Sequence, residues 1–333
     1  MRAVVITRHG GLEALEVQER PEPACGPGEV RIEVRAAGVN FADLLARQGL
    51  YADAPPPPVV VGYEVAGTVA EAGEGVEDRA VGERVLAATR FGGYAEQVVV
   101  PAEDAQPLPE GLSFEQGAAV PVNYATAWAA LFTSANLQKG ERVLVHAAAG
   151  GVGIAATQLA ARDGAELWGT ASPAKHAAIR EFGIEHPVDY THPQWDRDLP
   201  AFDVVLDAIG GRSFRRSYRL LRPGGRLVAY GASSVMSGEK RNLLKAAPEA
   251  LPMVRGFDLI KQMSDSKAVI GLNMLRLWDD RGSLEPWLTP LRPLLEGGEL
   301  KPVVHEAVPF ARAADAHRIL MERRNVGKVV LVP

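Results

Sequence analysis

The chain has 333 residues, more than a single hydrophobic core ordinarily serves, so two domains are expected. Hydrophobic residues make up 47% and charged residues 23%, the balance of a folded protein, and a net charge of -5 offers no basic stripe for a phosphate backbone, which argues against nucleic acid as a main partner. The one cysteine, Cys25, excludes an internal disulfide and any Cys-rich metal site.

The opening MRAVVIT reads as a strand and lacks the sections of a signal peptide, which makes a cytoplasmic location the expectation. From Glu29 to Val100, the pieces EVRIEVRAAGV, YEVAGTVAEAG, GERVLAAT and GGYAEQVVV read as short strands parted by turns, the pattern of a small, mostly β domain. Between the first two lies YADAPPPP, a loop, because proline lacks the backbone donor that a central ladder needs. After Ser113, SFEQGAAVPVNYATAWAALF reads as helical and is broken at Pro121. Six strands then alternate with helices: RVLVHA from Arg142, ELWGTA from Glu166, PVDY from Pro187, FDVVLDAI from Phe202, GRLVAYG from Gly225 and KAVIGLN from Lys267. Their Val, Leu and Ala runs show little polar alternation, as in a parallel sheet covered on both faces, so an α/β, doubly wound domain is expected. From Leu284 a helix, VVHEAVPF, the helix ARAADAHRILMER and the strand KVVLV most simply return to the first domain. The expected division is residues 1–120 with 284–333, and 121–283.

In RVLVHAAAGGVGIAATQLAA a buried strand enters a glycine turn that opens a helix. Ala148, Gly150 and Gly153 fill the GxGxxG register, the first with one extra methyl. Gly150 lets the backbone approach a pyrophosphate, Gly153 lets the helix pack close to the strand, and the helix amino terminus favours negative charge. Ala149, Gly150, Gly151, Val152 and Gly153 are therefore the dinucleotide-binding candidates. Ser172 stands about twenty positions on, where an acidic residue would hold a ribose diol. Thr170, Ser172 and Lys175 supply hydroxyls and a cation, with no carboxylate before Glu181. That suits a 2′-phosphate, so NADPH is expected over NADH. The plainer roles are a helix cap at Ser172, with Pro173 at the first helical position, and a solvated charge at Lys175.

AAGVNFADLLARQGLY, VVVGYEVAGTV, HAAAGGVG, YGAS and the closing NVGKVVL together resemble the zinc-free quinone oxidoreductases of the medium-chain dehydrogenase/reductase superfamily. Within them, NFADLLARQG, PVNYATAW and GYEVAG are most similar to the vesicle amine transport protein homologues. The resemblance covers essentially the whole chain. It implies a GroES-like catalytic domain built from both termini, an inserted Rossmann domain and a cofactor in the cleft. Zinc-dependent relatives place a cysteine ligand in GVC and a histidine ligand in GHE; this chain has Asn40 and Tyr63 there, and Glu64 alone survives. One carboxylate does not hold a catalytic zinc, which needs about three protein ligands. Without a Lewis acid to stabilise an alkoxide, reduction of an activated acceptor is favoured over alcohol oxidation.

The resemblance assigns roles by position. Asn40 lies near the nicotinamide and the acceptor carbonyl, or else caps a turn after Val39. Tyr51 borders the acceptor pocket and donates a hydrogen bond or a proton, or else packs on the proline loop. Tyr63 fills the space a metal would take. Thr126 falls near the nicotinamide ribose, or bonds back to its own helix. Tyr190 stacks near the adenosine phosphate, Gly231 is a close-approach point for the cofactor, and Asn325, Gly327 and Lys328 reach back to the dinucleotide or form a surface turn. His146 reads as a packing residue, and GEKR (Gly238 to Arg241) and MERR (Met321 to Arg324) as solvated faces. The leading function is NADPH-dependent hydride transfer to a quinone or related conjugated carbonyl, without metal or flavin. The alternatives are an enoyl-thioester or enone reductase and a non-enzymatic NADPH-binding interaction protein. A homodimer paired through KAVIGLN is expected, with no membrane anchor.

Overall fold

A computed structural model describes residues 1–236, 238–239 and 257–333. The chain divides into two compact units, Met1–Ala125 with Gly238–Arg241 and Leu277–Pro333, and Thr126–Ser237 with Asn242–Arg276. The division therefore falls a few residues inside the expected 121 and 284. Its physical reason is visible at helix Pro121–Trp128, whose first turn supplies groups to the polar cluster of the first unit, described below.

The first unit is mostly β. Its strands are β1 (Arg2–Ile6), β2 (Leu15–Glu19), β3 (Glu29–Val39), β4 (Val59–Val60), β5 (Glu64–Ala72), β6 (Arg84–Ala88), β7 (Gln97–Pro101) and β8 (Ala105–Pro107). β1 pairs antiparallel with β2 and β4 in a small sheet. β3 alternates exposed and buried residues over its first half, then turns wholly buried from Ala36, where it becomes a central strand. The proline run forms a loop ending at β4.

The second unit holds β9 (Arg142–Val145), β10 (Glu166–Ala171), β11 (His186–Asp189), β12 (Phe202–Asp207), β13 (Leu221–Ala229) and β14 (Ala268–Gly271). All six expected strands are present, every pairing is parallel, and the order is β11-β10-β9-β12-β13-β14. The chain starts in the middle of the sheet and winds outward in both directions, so helices cover both faces. Every residue of β12 is buried, which is why FDVVLD carries no polar alternation. Phe202, Val205, Leu144 and Leu227 pack in one core cluster. β14 ends the sheet, as KAVIGLN was expected to.

The remaining strands, β15 (Val304–Pro309) and β16 (Lys328–Val332), return to the first unit and complete a seven-stranded sheet in which β16 lies antiparallel to β3. Gly38, opposite Val330, is a position where a side chain is impossible, for a Cβ there would lie 2.5 Å from both the Ala118 carbonyl and Glu64 Oε1. Of the GEKR cluster, Gly238 and Glu239 are tied down, their carbonyls accepting from Gln48 Nε2 at 2.8 and 3.1 Å; Lys240 and Arg241 lie outside the described residues.

Candidate active site

The sheet register assembles a polar cluster in the first unit. Val329 pairs with Val39, which sets Lys328 beside Asn40, and Val65 pairs with Ala37, which brings Glu64 to the same end. Lys328 Nζ is ion-paired with Glu64 Oε1, donates to Asn40 Oδ1 at 2.6 Å, and reaches Asn123 Oδ1 at 3.5 Å. Asn40 Nδ2 donates to Glu64 Oε1 at 3.0 Å, and the Val122 amide to Oε2 at 2.7 Å. The Lys328 and Glu64 side chains are 4% and 0% exposed. A buried ion pair is tolerable only when its remaining donors and acceptors are met, and here each group has several partners.

Asn40 also opens helix Phe41–Arg47, as its cap reading expected: its N–H donates to Asp43 Oδ2 at 2.7 Å. Asp43 accepts further from Tyr94 Oη at 2.8 Å and the Gly62 amide at 3.2 Å. Burial pushes its carboxyl up to about 7, against the pull of these donors and of Lys328. Tyr63 lies between Gly62 and Glu64 in sequence and is buried, its ring against Tyr51 and Phe91.

His317, on helix Ala313–Met321, is fully buried beside Tyr94, and neither ring nitrogen has a hydrogen-bond partner among the described residues. Burial, with the Arg47 guanidinium in the same sense, pushes it down to about 3. Folding therefore requires a neutral imidazole, while the unfolded chain takes up a proton below about pH 6.5. Stability from this group is complete above that pH and declines by about 1.4 kcal/mol per unit as pH falls toward the folded value. His317→Leu is expected to hold stability at neutral pH and to lose less than the wild type at about pH 5 in urea titrations. Asp43, whose raised pKa acts oppositely, is common to both proteins and cancels in the difference. Parallel pH profiles for the two would contradict the prediction.

In the second unit the strand ends carry the glycine turn. The amides of His146 and Ala148 donate to the Leu206 and Thr170 carbonyls, and Ala147 takes a left-handed φ of 52°. Gly150 precedes helix Gly151–Arg162 as its cap residue. A Cβ on Gly153 would lie 2.4 Å from the Ala147 carbonyl and 2.8 Å from Ala148 Cα; on Gly150 it would meet only the Ala147 carbonyl, at 3.3 Å. Thus Gly153 permits the helix to press on the strand end, while Gly150 leaves an open side.

A hydrogen-bonded chain braces this turn. Ser217 Oγ donates its one hydrogen to Asp207 Oδ2 at 2.7 Å, so it accepts from His146 Nε2–H at 3.0 Å. Burial holds His146 neutral, which makes Nδ1 the acceptor of the Thr170 hydroxyl at 3.2 Å. Thr170 Oγ1 in turn accepts from the Ala147 amide at 3.2 Å. Asp207 also takes hydrogen bonds from the Ile209 amide at 2.7 Å and from Ser213 Oγ at 2.7 Å. His146 is thus a fully bonded core residue, and Thr170 is 2% exposed with its hydroxyl engaged inside the turn.

Ser172 sits at the cap position before Pro173–Lys175 without a side-chain cap bond, and Lys175 is half-buried. Tyr190 follows the end of β11, and Thr126 is buried in helix Pro121–Trp128. Gly231 packs on Ala208, where a Cβ would meet the carbonyl at 2.8 Å. Asn325 Nδ2 closes its own turn onto the Gly327 carbonyl at 2.8 Å. Tyr51 is half-buried, with its ring perpendicular to that of Tyr63. The sequence reading missed Asn123, Asp43, Asp207 and Ser217. The one local signal was Asn123, three residues before Thr126 in the quoted NYATAW.

The mostly β unit with its strand-end cluster, joined in one chain to a six-stranded parallel sheet with a glycine turn, defines a medium-chain dehydrogenase/reductase, and the chain belongs to that superfamily. Within it the chain is a relative of the synaptic vesicle membrane protein VAT-1 homologs, 40% identical to the human one over 341 aligned residues that span 100% of this chain and 86% of that protein. Residues 26–110 match the family model for the alcohol dehydrogenase GroES-like domain, and residues 182–331 match that for zinc-binding dehydrogenase. Among solved structures, the quinone oxidoreductase from Thermus thermophilus, determined also in complex with NADPH, is 37% identical with a TM-score of 0.82, over 100% of both chains. The CurK enoyl reductase is 27% identical with a TM-score of 0.85, over 99% of this chain and 98% of that one.

Proposed function

We propose that this protein reduces quinones, or closely related conjugated carbonyls, with NADPH and without a metal. The observation that carries the reading is the ammonium of Lys328 seated on Glu64. That carboxylate is already neutralised by a buried cation and bonded to Asn40 Nδ2 and the Val122 amide, so a zinc ion brought to it would meet a like charge and displaced hydrogen bonds. Amide, ammonium and phenol groups remain, which polarise an acceptor by hydrogen bonding. A quinone needs no stronger help, because its reduced oxygen is a weakly basic phenolate.

The second unit suits the dinucleotide. Gly150, open on one side at a helix amino terminus, with Ala149, Gly151 and Val152 around it, is a place for the pyrophosphate, and Gly153 sets how near the helix comes. Ser172 and Lys175 are the groups for a 2′-phosphate; Thr170, with its hydroxyl engaged, braces the turn from within. Tyr190, Gly231, Thr126 and Asn325 are assigned as flanking contacts, and Lys328 as the residue that orients Asn40 through its Oδ1. NADPH, when bound, supplies the hydride; the chain binds both reactants, orients Asn40 and Tyr51 toward the acceptor, and excludes water.

A cytoplasmic location and a homodimer paired through the edge strand β14 belong to the proposal; no helix among the described residues is long and apolar enough to cross a membrane. The likeness to an enoyl reductase favours one second reading, reduction of enoyl thioesters. Steady-state rates with NADPH and NADH against menadione and crotonyl-CoA separate them. The proposal expects menadione turnover with NADPH preferred by about tenfold or more, the equivalent of one phosphate contact of about 1.4 kcal/mol. Turnover confined to the thioester would establish the second reading instead.

A further inference from the structure

Tyr63 carries an unmet demand in the first unit. It is 5% exposed, and its hydroxyl has no hydrogen-bond partner among the described residues. A phenol buried this way loses its hydration and gains nothing in return, whereas phenylalanine would fill the same space without that cost. The backbone holds it firmly in place. The Thr89 amide donates to the Tyr63 carbonyl at 2.8 Å, and the preceding Gly62 amide is fastened to Asp43. The next residue, Glu64, belongs to the ion-paired cluster.

Its surroundings are aromatic. The Tyr51 ring lies perpendicular to it at 6.3 Å and 88°, and the Phe91 ring is tilted at 5.2 Å and 54°. Both are half-buried, so the group of three rings has an outward side. Burial raises the Tyr63 hydroxyl far above the usual phenol range, and Asp43, Tyr51 and Asp53 around it act in the same sense. The group therefore stays protonated and acts as a donor of hydrogen bonds, not as a source of protons. Rings that offer both edges and faces favour a flat conjugated partner over an extended chain.

Resting on the quinone reductase reading, we infer that Tyr51, Tyr63 and Phe91 form the seat of a flat conjugated acceptor, and that Tyr63 Oη donates a hydrogen bond to its carbonyl oxygen. During reduction the hydride and its electron pair pass from NADPH, which becomes NADP⁺, to the quinone, whose oxygens gain negative charge. A phenol donor that has no protein partner to give up among the described residues stabilises that charge at less cost than one already bonded. The proton that completes the hydroquinone comes from water, and Tyr63 keeps its own. Tyr63 is then a catalytic residue, and ring quinones rank above acyclic acceptors.

The test compares the wild type with Tyr63→Phe in three measurements: thermal unfolding, NADPH-dependent menadione reduction, and menadione binding to the NADP⁺-loaded protein by calorimetry. The variant is expected to unfold at the same temperature or higher, since it removes an unpaired hydroxyl. It is expected to lose about 10- to 100-fold in kcat/KM and about tenfold in menadione affinity, with NADPH affinity unchanged. A wild type that turns menadione over while the variant matches it in rate and affinity overturns the inference and leaves the quinone reductase reading standing; the hydroxyl then meets only an ordered water. A wild type that binds menadione through Tyr63 without reducing it sustains the seat and sinks the reductase reading. Neither binding nor turnover overturns both.

Discussion

Lys328→Met is expected to destabilise the protein by about 3–5 kcal/mol, because it strands the Glu64 carboxylate in the interior with its counter-charge removed. The methionine keeps the length of the lysine stem, so little of the loss comes from packing. The Val122 amide and Asn40 Nδ2 still reach Glu64, but hydrogen bonds alone replace only part of a buried ion's lost hydration. Glu64→Gln in the same background removes the stranded charge, and the double variant is expected to be more stable than Lys328→Met alone. Urea titrations of the wild type, both single variants and the double variant give the coupling directly. A cost below about 1 kcal/mol for Lys328→Met would mean that the pair is not what holds this end of the sheet.

On the proposed placing of NADPH at the glycine turn, two glycine substitutions separate architecture from ligand contact in the second unit. Gly153→Ala places a Cβ against backbone atoms of Ala147 and Ala148, which cannot swing aside as a side-chain end would, so the helix must withdraw. The expected cost is about 1–3 kcal/mol of stability, with NADPH affinity falling about 10- to 100-fold as the helix amino terminus retreats from the phosphates. Gly150→Ala meets a single carbonyl at a distance that a small shift relieves. It is expected to leave stability within about 1 kcal/mol of the wild type while lowering NADPH affinity by a similar factor, since its methyl points to the open side. Thermal unfolding and fluorescence titration with NADPH read the two effects apart. Equal destabilisation by both substitutions would contradict the division of labour between these glycines.

The parallel sheet was legible because its central strands are buried on both faces, and burial of that kind favours apolar stretches such as Val204–Leu206 in β12. The glycine turn was legible because Gly150 and Gly153 are local in sequence and each answers to a local constraint. The strand-end cluster was not, since Glu64 and Lys328 meet only through the register of β3, β5 and β16. Lys328 therefore carried a cofactor role by position, while the structure sets its ammonium in a buried ion pair. His146 gave a similar lesson. It was correctly taken as a core residue, yet its partners Ser217 and Asp207 sit on other elements, and no spacing along the chain announces a bond between them. The expected domain boundary at 121 fell at the start of helix Pro121–Trp128, whose opening residues belong to the Glu64 cluster, so the observed division lies inside the helix, a fact that proline punctuation alone does not convey. Tyr63 was read as filler, and only its burial without a partner makes its hydroxyl conspicuous.

Metal-free turnover decides whether this protein is a zinc-independent reductase. The purified protein is treated with a strong chelator, freed of it by gel filtration, and mixed with NADPH and menadione while the nicotinamide absorbance is followed. The treated protein is expected to oxidise NADPH at the rate of the untreated protein, with no gain from added zinc. Loss of activity on chelation with recovery on zinc, or binding of NADPH without oxidation by any quinone, would contradict it.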